Sequence, residues 1–287
     1  MGRRVAIVTG ANRGIGLATV RNLCKTFSGD VILTSRMTPT GKEAVNSLKK
    51  EGLNAIFHEL DISQPDSIRM LREYIEEHYG GIDVLINNAA MSFDKNEDIP
   101  IYRKAQLCFD VDFSGTLNVV KLFFTLLRPH ARVVIMTNGY IGVESALTGV
   151  AKSKFSDSTL RLYDLELLAN EYLKAVKFSN CQKFGWPDSP SQCAKIFLVK
   201  MANIVSKLME SDQRRNLLIN ACCPGWTRSG ASREYTDKDG TVGGEVLQEP
   251  DTAAKDIVWL TAISSGTATP NGNLVRHKKV LNASTCT

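Results

Sequence analysis

Short apolar runs rich in β-branched residues recur along the chain, and longer amphipathic stretches separate them. Each run has only three or four apolar residues, so its bounding turns, rather than its periodicity, favour a strand. The predicted strands are residues 5–8, 31–33, 55–57, 84–86, 133–136 and 217–219. Strands this short and this apolar are typical of a sheet whose two faces are both covered.

The stretches between these runs carry apolar residues at helical spacing. Residues 15–27 and residues 68–79 both repeat apolar side chains every three or four positions, as an amphipathic helix does. Strands that alternate with helices predict a parallel sheet with helices on both faces. We therefore expect an α/β fold of the Rossmann type, with a doubly wound sheet of six to seven strands and a ligand crevice beyond their carboxyl ends.

A helical insertion interrupts this alternation at about residues 144–190. Within it, residues 160–178 place several apolar side chains near one face, and Gly185-Trp186-Pro187 then marks a stop. The insertion is too short to build a core of its own, so we expect it to pack on the same domain. The sequence thus predicts a single domain over residues 1–287.

The composition is that of an ordinary globular chain, with 287 residues of which 43% are hydrophobic and 23% charged. The net charge of +5 comes from scattered basic residues, whereas a nucleic-acid-binding domain shows a stronger, clustered excess. The seven cysteines have neither metal-ligand spacing nor an even count. No apolar run approaches the roughly 20 residues of a membrane span. We expect a cytoplasmic protein without a metal, a nucleic-acid partner or a membrane segment.

The segment after the first predicted strand is a glycine-rich turn of the form G-x-x-x-G-x-G. Glycine permits a tight turn and lets backbone amides approach a pyrophosphate, and the following helix N-terminus adds partial positive charge. The turn therefore predicts dinucleotide binding. Its candidate cofactor-binding residues are Gly10, Asn12, Arg13, Gly14, Ile15 and Gly16.

Two arginines favour NADP(H) over NAD(H) as the dinucleotide. A fold that prefers NAD typically ends its second strand with an acidic residue that binds the ribose 2′-hydroxyl. Here Arg36 stands at that place, and Arg13 lies inside the glycine turn. Guanidinium groups bind a 2′-phosphate through bidentate, charge-assisted hydrogen bonds.

Further motifs resemble those of the short-chain dehydrogenase/reductase family, and among its members the monomeric NADPH-dependent carbonyl reductases. Besides the glycine turn, they are Leu60-Asp61-Ile62, Asn87-Asn88-Ala89-Ala90 and Cys222-Cys223-Pro224-Gly225-Trp226. The resemblance implies that Asp61 and Ile62 contact the adenine, that Asn88 lies in the turn after strand four, and that Pro224 and Gly225 close over the nicotinamide. It also implies a monomer, because the helical insertion covers the face that other members use to form tetramers.

The catalytic set departs from this family. The resemblance implies a tyrosine that delivers a proton, a lysine four residues later, a serine that binds the carbonyl oxygen and an asparagine that anchors a relay water. No tyrosine in the chain is followed by lysine at that spacing. Lys195 stands at the lysine position, which also holds the nicotinamide ribose, while Ser191, Asn138 and Asp112 replace the tyrosine, serine and asparagine. Tyr140 is the only phenol close to these motifs in the sequence.

Three interpretations of the function remain open on this basis. The first is an NADP(H)-binding, carbonyl-reductase-like protein whose standard carbonyl reduction is lost or very weak, because a general acid typically contributes about 10²–10⁴ in rate. The second is an active NADPH-dependent reductase of small carbonyl compounds or quinones that uses an atypical proton source. The third and most remote is a hydrolase built on Ser191 and Lys195, which lie four residues apart on a predicted helix.

Overall fold

Helices and strands alternate through most of the computed structural model, which describes residues 2–93, 97–137, 146–229, 241–242, 245–264 and 270–281. Within these residues the helices are α1 (Gly14–Thr26), α2 (Thr38–Lys50), α3 (Pro65–Tyr79), α4 (Ile101–Cys108), α5 (Thr116–Phe123), α6 (Gly149–Ser156), α7 (Leu162–Lys177), α8 (Cys181–Phe184), α9 (Pro190–Glu210) and α10 (Pro250–Thr261). The strands are β1 (Val5–Val8), β2 (Asp30–Ser35), β3 (Ile56–Glu59), β4 (Ile82–Asn87), β5 (Leu127–Met136), β6 (Leu218–Cys222), β7 (Thr241–Val242), β8 (Glu245–Val246), β9 (Leu274–Arg276) and β10 (Lys279–Leu281). A π-helical segment, Phe109–Gly115, connects α4 with α5.

Eight of the described strands form one sheet, in the order β10-β9-β6-β5-β4-β1-β2-β3. All neighbours are parallel except β9 and β10, which form an antiparallel hairpin at one edge. The chain winds outward from the centre in both directions, so the predicted Rossmann-type, doubly wound fold is confirmed. The sequence predicted six to seven strands, and none of its six apolar runs corresponds to the three-residue strands β9 and β10.

Helix α3 illustrates how the sequence fixes one of these elements. Pro65 opens its first turn, where the missing N–H costs nothing, and Gly80 ends it in the left-handed conformation with φ +69°. Ile68, Leu71 and Ile75 recur at helical spacing and are fully buried against the sheet. The helix therefore forms because its capping signals and its apolar face agree.

Apolar side chains cover both faces of the sheet. Along each central strand successive residues alternate between the two layers, so that Ile7 and Leu85 face one core while Val8 and Ile86 face the other. The first core also contains residues of α3, α5, α7 and α9, and the second contains residues of α1, α2 and α10. None of the described helices is long and apolar enough to cross a membrane.

The described part of the predicted insertion is helical, with α6, α7 and α8 preceding α9. The helix expected at residues 160–178 is confirmed as α7, which packs against α4 and α9. An aromatic cluster joins the insertion to the core: Tyr172 stacks on Phe109, and Trp186 stacks on Phe197 of α9. The insertion thus shares the first core rather than forming one of its own.

Arg132 of β5 is a buried arginine that connects three parts of the chain. Its guanidinium donates to the carbonyl oxygens of Ile263 (2.8 and 3.2 Å), Asn216 (2.8 Å) and His130 (2.9 Å). Burial lowers the pKa of Arg132 from its ordinary value, although an arginine in a protein stays charged. The side chain therefore ties β5 to the segment before β6 and to the segment after α10.

We expect Arg132→Met to lower the free energy of unfolding by about 3 kcal/mol, because hydrogen bonds to a charged group contribute about 1.5–3 kcal/mol each and buried carbonyls lose their donor. Urea denaturation measures the change. Arg161→Met is the control, since that side chain is 80% exposed in its pair with Asp164 and should shift stability by less than about 0.5 kcal/mol. Equal effects of the two substitutions would contradict this role of Arg132.

Candidate dinucleotide and catalytic site

The glycine-rich turn between β1 and α1 packs tightly against the segment that follows β4. Gly10 has φ +61°, and a Cβ there would lie 2.7 Å from the Ala89 Cα. At Gly16 a Cβ would lie 2.5 Å from the Asn88 Nδ2 and 2.8 Å from the Ala11 Cα. Both positions require glycine, because a side chain has no room between the turn and its neighbours.

Thr9 and Asn88 hold this turn to the end of β4. The Asn88 Nδ2 donates to the carbonyl oxygens of Thr9 (2.9 Å) and Gly10 (3.0 Å). The buried Thr9 hydroxyl accepts from the backbone N–H groups of Asn88 (2.9 Å) and Ala89 (3.0 Å). Asn88 therefore shapes the turn in addition to lining the cavity beside it.

A cavity of about 610 Å³ lies beyond the carboxyl ends of the central strands. All the cofactor-binding residues that the sequence predicted line it: Gly10, Asn12, Arg13, Gly14, Ile15, Gly16, Arg36, Asp61, Ile62, Asn88, Lys195, Pro224 and Gly225. Ser191 lines it as well. The structure thus brings residues from distant parts of the chain to one cavity, where a parallel sheet places its ligand crevice.

Arg13 and Arg36 are exposed side chains on the wall of this cavity. Arg13 precedes α1, and Arg36 directly follows β2. Among the residues that the structure describes, neither guanidinium has a carboxylate partner. Both side chains can therefore offer their donors to an anionic ligand.

Asp61 follows β3 and is held in place by serine side chains and backbone. Its Oδ1 accepts from the Ser63 N–H (2.9 Å) and the Ser63 hydroxyl (2.7 Å). Its own N–H donates to the Ser67 Oγ (2.9 Å). These bonds fix the carboxylate at the cavity wall, next to the buried Ile62.

Ser191 and Lys195 lie in the first two turns of α9. Pro190 opens this helix, and the Ser189 side chain caps it by accepting from the Gln192 N–H at 3.4 Å. The spacing of four residues puts Ser191 and Lys195 on one face of the helix. Both line the cavity.

Asp112 lies in the π-helical segment between α4 and α5 and is 0% exposed. Its Oδ2 pairs with the Lys195 Nζ at 2.9 Å, and its Oδ1 accepts from the Met91 N–H at 2.6 Å. The Thr137 hydroxyl donates to the Lys195 carbonyl oxygen at 3.3 Å. Two of the candidate catalytic residues are thus joined in a buried ion pair, and π-helical segments are frequent at functional sites.

No tyrosine in the described residues lines the cavity; those residues include Tyr74, Tyr79, Tyr102, Tyr163 and Tyr172. Tyr172 belongs to the buried aromatic cluster, and burial raises its pKa well above the usual value. Asn138 and Tyr140, which the sequence singled out, lie outside the described residues.

The segment after β6 closes one side of the cavity. Trp226 and Gln248 are joined by a backbone hydrogen bond of 2.9 Å, and Thr227 forms a β-bridge with Gln248. The Gln248 side chain also donates to the Pro224 carbonyl oxygen. These contacts anchor Pro224 and Gly225 at the cavity wall.

Sequence reasoning missed the apolar part of the cavity wall. Met91 and Phe93 follow β4, Met136 ends β5, and Trp226 follows the proline–glycine pair after β6. None of these residues was among the predicted site residues. A signal was present, since each lies at or just after the carboxyl end of a strand, where the ligand crevice of a doubly wound sheet lies.

Comparison with known proteins gives a family match and relatives of nearly the same length. A family model described as short chain dehydrogenase matches residues 4–151. Carbonyl reductase [NADPH] 1 of Rattus norvegicus is 35% identical over 280 residues, which cover 97% of this chain and 98% of that protein. Carbonyl reductase [NADPH] 1 of Sus scrofa is 37% identical, with 97% of this chain and 93% of that protein covered.

Solved structures with the same fold include salutaridine reductase from Papaver somniferum. Its TM-score is 0.80 at 22% identity, and the match covers 95% of this chain and 99% of that one. Menthone neomenthol reductase from Mentha piperita has a TM-score of 0.78 at 23% identity, with 96% and 99% covered. At this identity the similarity concerns the fold.

The packing of the turn makes a prediction about its glycines. Gly16→Ala should destabilise the protein by about 2 kcal/mol, because overpacking a tight site typically costs about 1–3 kcal/mol. Gly14→Ala is the matched comparison: its added Cβ would lie 3.6 Å from the nearest neighbour, so only the strain of φ +56° remains, about 1 kcal/mol. Urea midpoints compare the two, and a larger loss for Gly14→Ala would be the contrary result.

Proposed function

The chain belongs to the short-chain dehydrogenase family, and from that premise we propose that it binds NADP(H) in the cavity at the glycine turn. We further propose that its standard carbonyl-to-alcohol reduction is lost or very weak. Ser191 carries this second proposal, because it lines the cavity four residues before Lys195, where the family pattern has a tyrosine.

The cavity residues fit this cofactor. Gly10 and Gly16 form a cradle that a Cβ would fill, and such a cradle lets backbone N–H groups approach a pyrophosphate. The guanidinium groups of Arg13 and Arg36 are available to bind a 2′-phosphate, and Asp61 lies where the family contacts the adenine. The names of the curated relatives specify NADPH. When bound, this group supplies a hydride.

Proton delivery is the step that these residues supply poorly. A serine hydroxyl is far less acidic than a phenol, and the Ser191 side chain is shorter than a tyrosine by a whole ring. General acid catalysis typically contributes about 10²–10⁴ in rate, and it requires the donor within hydrogen-bond reach. With Ser191 at this place, an alkoxide formed in the cavity would lack the family's proton donor.

The contacts of Lys195 disfavour the hydrolase hypothesis. A serine–lysine dyad needs a lysine that accepts the serine proton. Here the Lys195 Nζ pairs with the buried Asp112 carboxylate at 2.9 Å. The lysine amine is thus engaged by a carboxylate rather than placed to serve Ser191.

The apolar part of the cavity wall supports a second candidate function, that of a quinone or carbonyl reductase with an atypical proton source. Met91, Phe93, Met136 and Trp226 line the cavity together with Ser191. This surface suits a flat, apolar carbonyl or quinone compound, with sulfur and aromatic groups that pack well against rings. A quinone also needs less help from an acid when it accepts a hydride.

We extend the proposal to a cytoplasmic, single-domain monomer. The support is the packing of α7 on α4 and α9, which places the insertion in the first core. In the family pattern this insertion covers the face through which tetramers form. Size-exclusion chromatography with light scattering tests the monomer directly.

Arg36→Ala should weaken NADPH binding by about 10- to 100-fold, because charge-assisted hydrogen bonds contribute about 1.5–3 kcal/mol. NADH lacks the 2′-phosphate, so its affinity should change by less than about threefold. Nicotinamide fluorescence titration measures both dissociation constants. Arg161→Ala, on the exposed surface of the insertion, is the control. Equal losses for NADPH and NADH would contradict this role of Arg36.

Restoring the family's catalytic set should restore reduction. We expect the triple variant Ser191→Tyr, Asn138→Ser and Asp112→Asn to oxidise NADPH with a dicarbonyl about 10²–10⁴ times faster than the unmodified protein. The matched control carries Ser191→Phe instead, which adds the ring without its hydroxyl. Adding Lys195→Ala to the first variant should remove the gain.

The same assay decides between loss and retention of activity. If the unmodified protein already turns over as fast as the restored variant, and loses that rate on Lys195→Ala, reduction is retained and the proton has another source. If the unmodified protein and the Ser191→Phe control are inactive while the restored variant is active, the missing phenol at position 191 is the cause.

A further inference from the structure

We infer that Asp112 sets the redox preference of the cofactor site: its carboxylate neutralises Lys195 and so favours oxidised NADP⁺ over NADPH. The inference rests on the proposed binding of NADP(H) in this cavity. It concerns a charge at a position where the family pattern has a neutral asparagine, and it assigns Asp112 a positioning role, exerted through Lys195 and through its electric field.

Each oxygen of the Asp112 carboxylate has one close partner. Oδ1 accepts from the Met91 N–H at 2.6 Å, and Oδ2 pairs with the Lys195 Nζ at 2.9 Å. Met91 belongs to the cavity wall that follows β4, and Lys195 belongs to α9. The carboxylate therefore lies between two walls of the site, with a hydrogen bond on Oδ1 and an ion-pair contact on Oδ2.

Burial strengthens the electrostatic effect of the Asp112 carboxylate on its surroundings. Asp112 is 0% exposed and the Lys195 side chain is 13% exposed. Charges that water and salt cannot reach are screened far less than surface charges. The field of the pair therefore acts on whatever occupies the neighbouring cavity.

The charges of Asp112 and Lys195, at the catalytic end of the cavity, sum to zero. Of the described charged residues that line the cavity, Arg13, Arg36 and Asp61 follow β1, β2 and β3, whereas Lys195 stands with the catalytic positions. Lys195 alone would give the catalytic end a charge of +1, and Asp112 at 2.9 Å cancels it. The family arrangement, with an uncharged amide at position 112, keeps the lysine charge.

This difference bears on the two forms of a nicotinamide. The oxidised ring carries a positive charge and the reduced ring does not, so an isolated lysine nearby disfavours the oxidised form. Adding a carboxylate removes that penalty. At an effective dielectric of about 20, one unit charge near the ring changes the relative affinity by on the order of 10-fold by Coulomb's law.

The test is the ratio of the dissociation constants of NADPH and NADP⁺, measured by isothermal titration calorimetry on the unmodified protein and on Asp112→Asn. Asparagine keeps the acceptor for the Met91 N–H and removes only the charge. We expect the variant to bind NADP⁺ about 10-fold more weakly relative to NADPH. Thermal unfolding with each form bound gives the same ratio independently.

Asp61→Asn is the matched control, since it also removes one carboxylate from the same site but lies after β3. It should change both affinities together and leave their ratio unchanged. Lys195→Met acts in the opposite sense, because it leaves the Asp112 charge uncompensated, and it should shift the ratio further toward NADP⁺. This variant keeps the inference testable if Asp112→Asn folds poorly.

The outcomes separate the two proposals. If neither form of the cofactor binds the unmodified protein, the proposed function fails. If both forms bind and their ratio is the same in the unmodified protein, in Asp112→Asn and in Lys195→Met, the inference about Asp112 is overturned while NADP(H) binding stands. Opposite shifts in the two variants support it.

Discussion

The hydrogen bonds between the ends of β1 and β4 are the constraint on which the site depends. Asn88 and the Thr9 hydroxyl join the two strands where they leave the sheet, and Gly10 and Gly16 then pack against that junction without side chains. The turn is thereby held rigid at the centre of a doubly wound sheet. A rigid, amide-rich turn before a helix N-terminus is what binding a pyrophosphate requires.

The same junction also positions the catalytic end. The segment that begins with Asn88 continues to Met91, whose N–H donates to Asp112, and Asp112 in turn pairs with Lys195. A chain of short contacts therefore runs from the glycine turn to α9. A buried ion pair is stable only where both charges are well paired and hydrogen-bonded, and the Met91 N–H provides this for the carboxylate.

Periodicity and turn signals predicted most of the fold, because a strand or helix that is buried on one or two faces has a regular spacing of apolar residues in the sequence. They missed β9 and β10 because these strands are three residues long and their turn has no glycine: His277 and Lys278 take the left-handed conformation instead. They also placed the start of β5 too late, since Leu127 is followed by Arg128, Pro129 and His130, which are partly or fully exposed. Local pattern is weak wherever an element is short or solvent-facing.

The glycine turn and the two arginines were predictable because their chemistry is contained in a few neighbouring residues. The ion pair of Asp112 with Lys195 was not, since 83 positions separate the partners and only the fold brings them together. The resemblance identified both as family positions but gave no reason to join them. Long-range pairs of this kind depend on packing rather than on spacing.

The replacements at the catalytic positions bear on different steps of a reduction: Ser191 on proton delivery and Asp112 on the charge near the cofactor. On the proposed function, Ser191 would weaken proton delivery, which matters most when the product is a strongly basic alkoxide. On our inference, the Asp112 charge would favour hydride transfer, because a carboxylate stabilises a nearby ring that becomes positive when it gives up a hydride. A quinone yields a weakly basic oxyanion that water can protonate. On the proposed function, we therefore expect the site to be least suited to simple ketones and aldehydes and best matched to acceptors that need a hydride more than an acid.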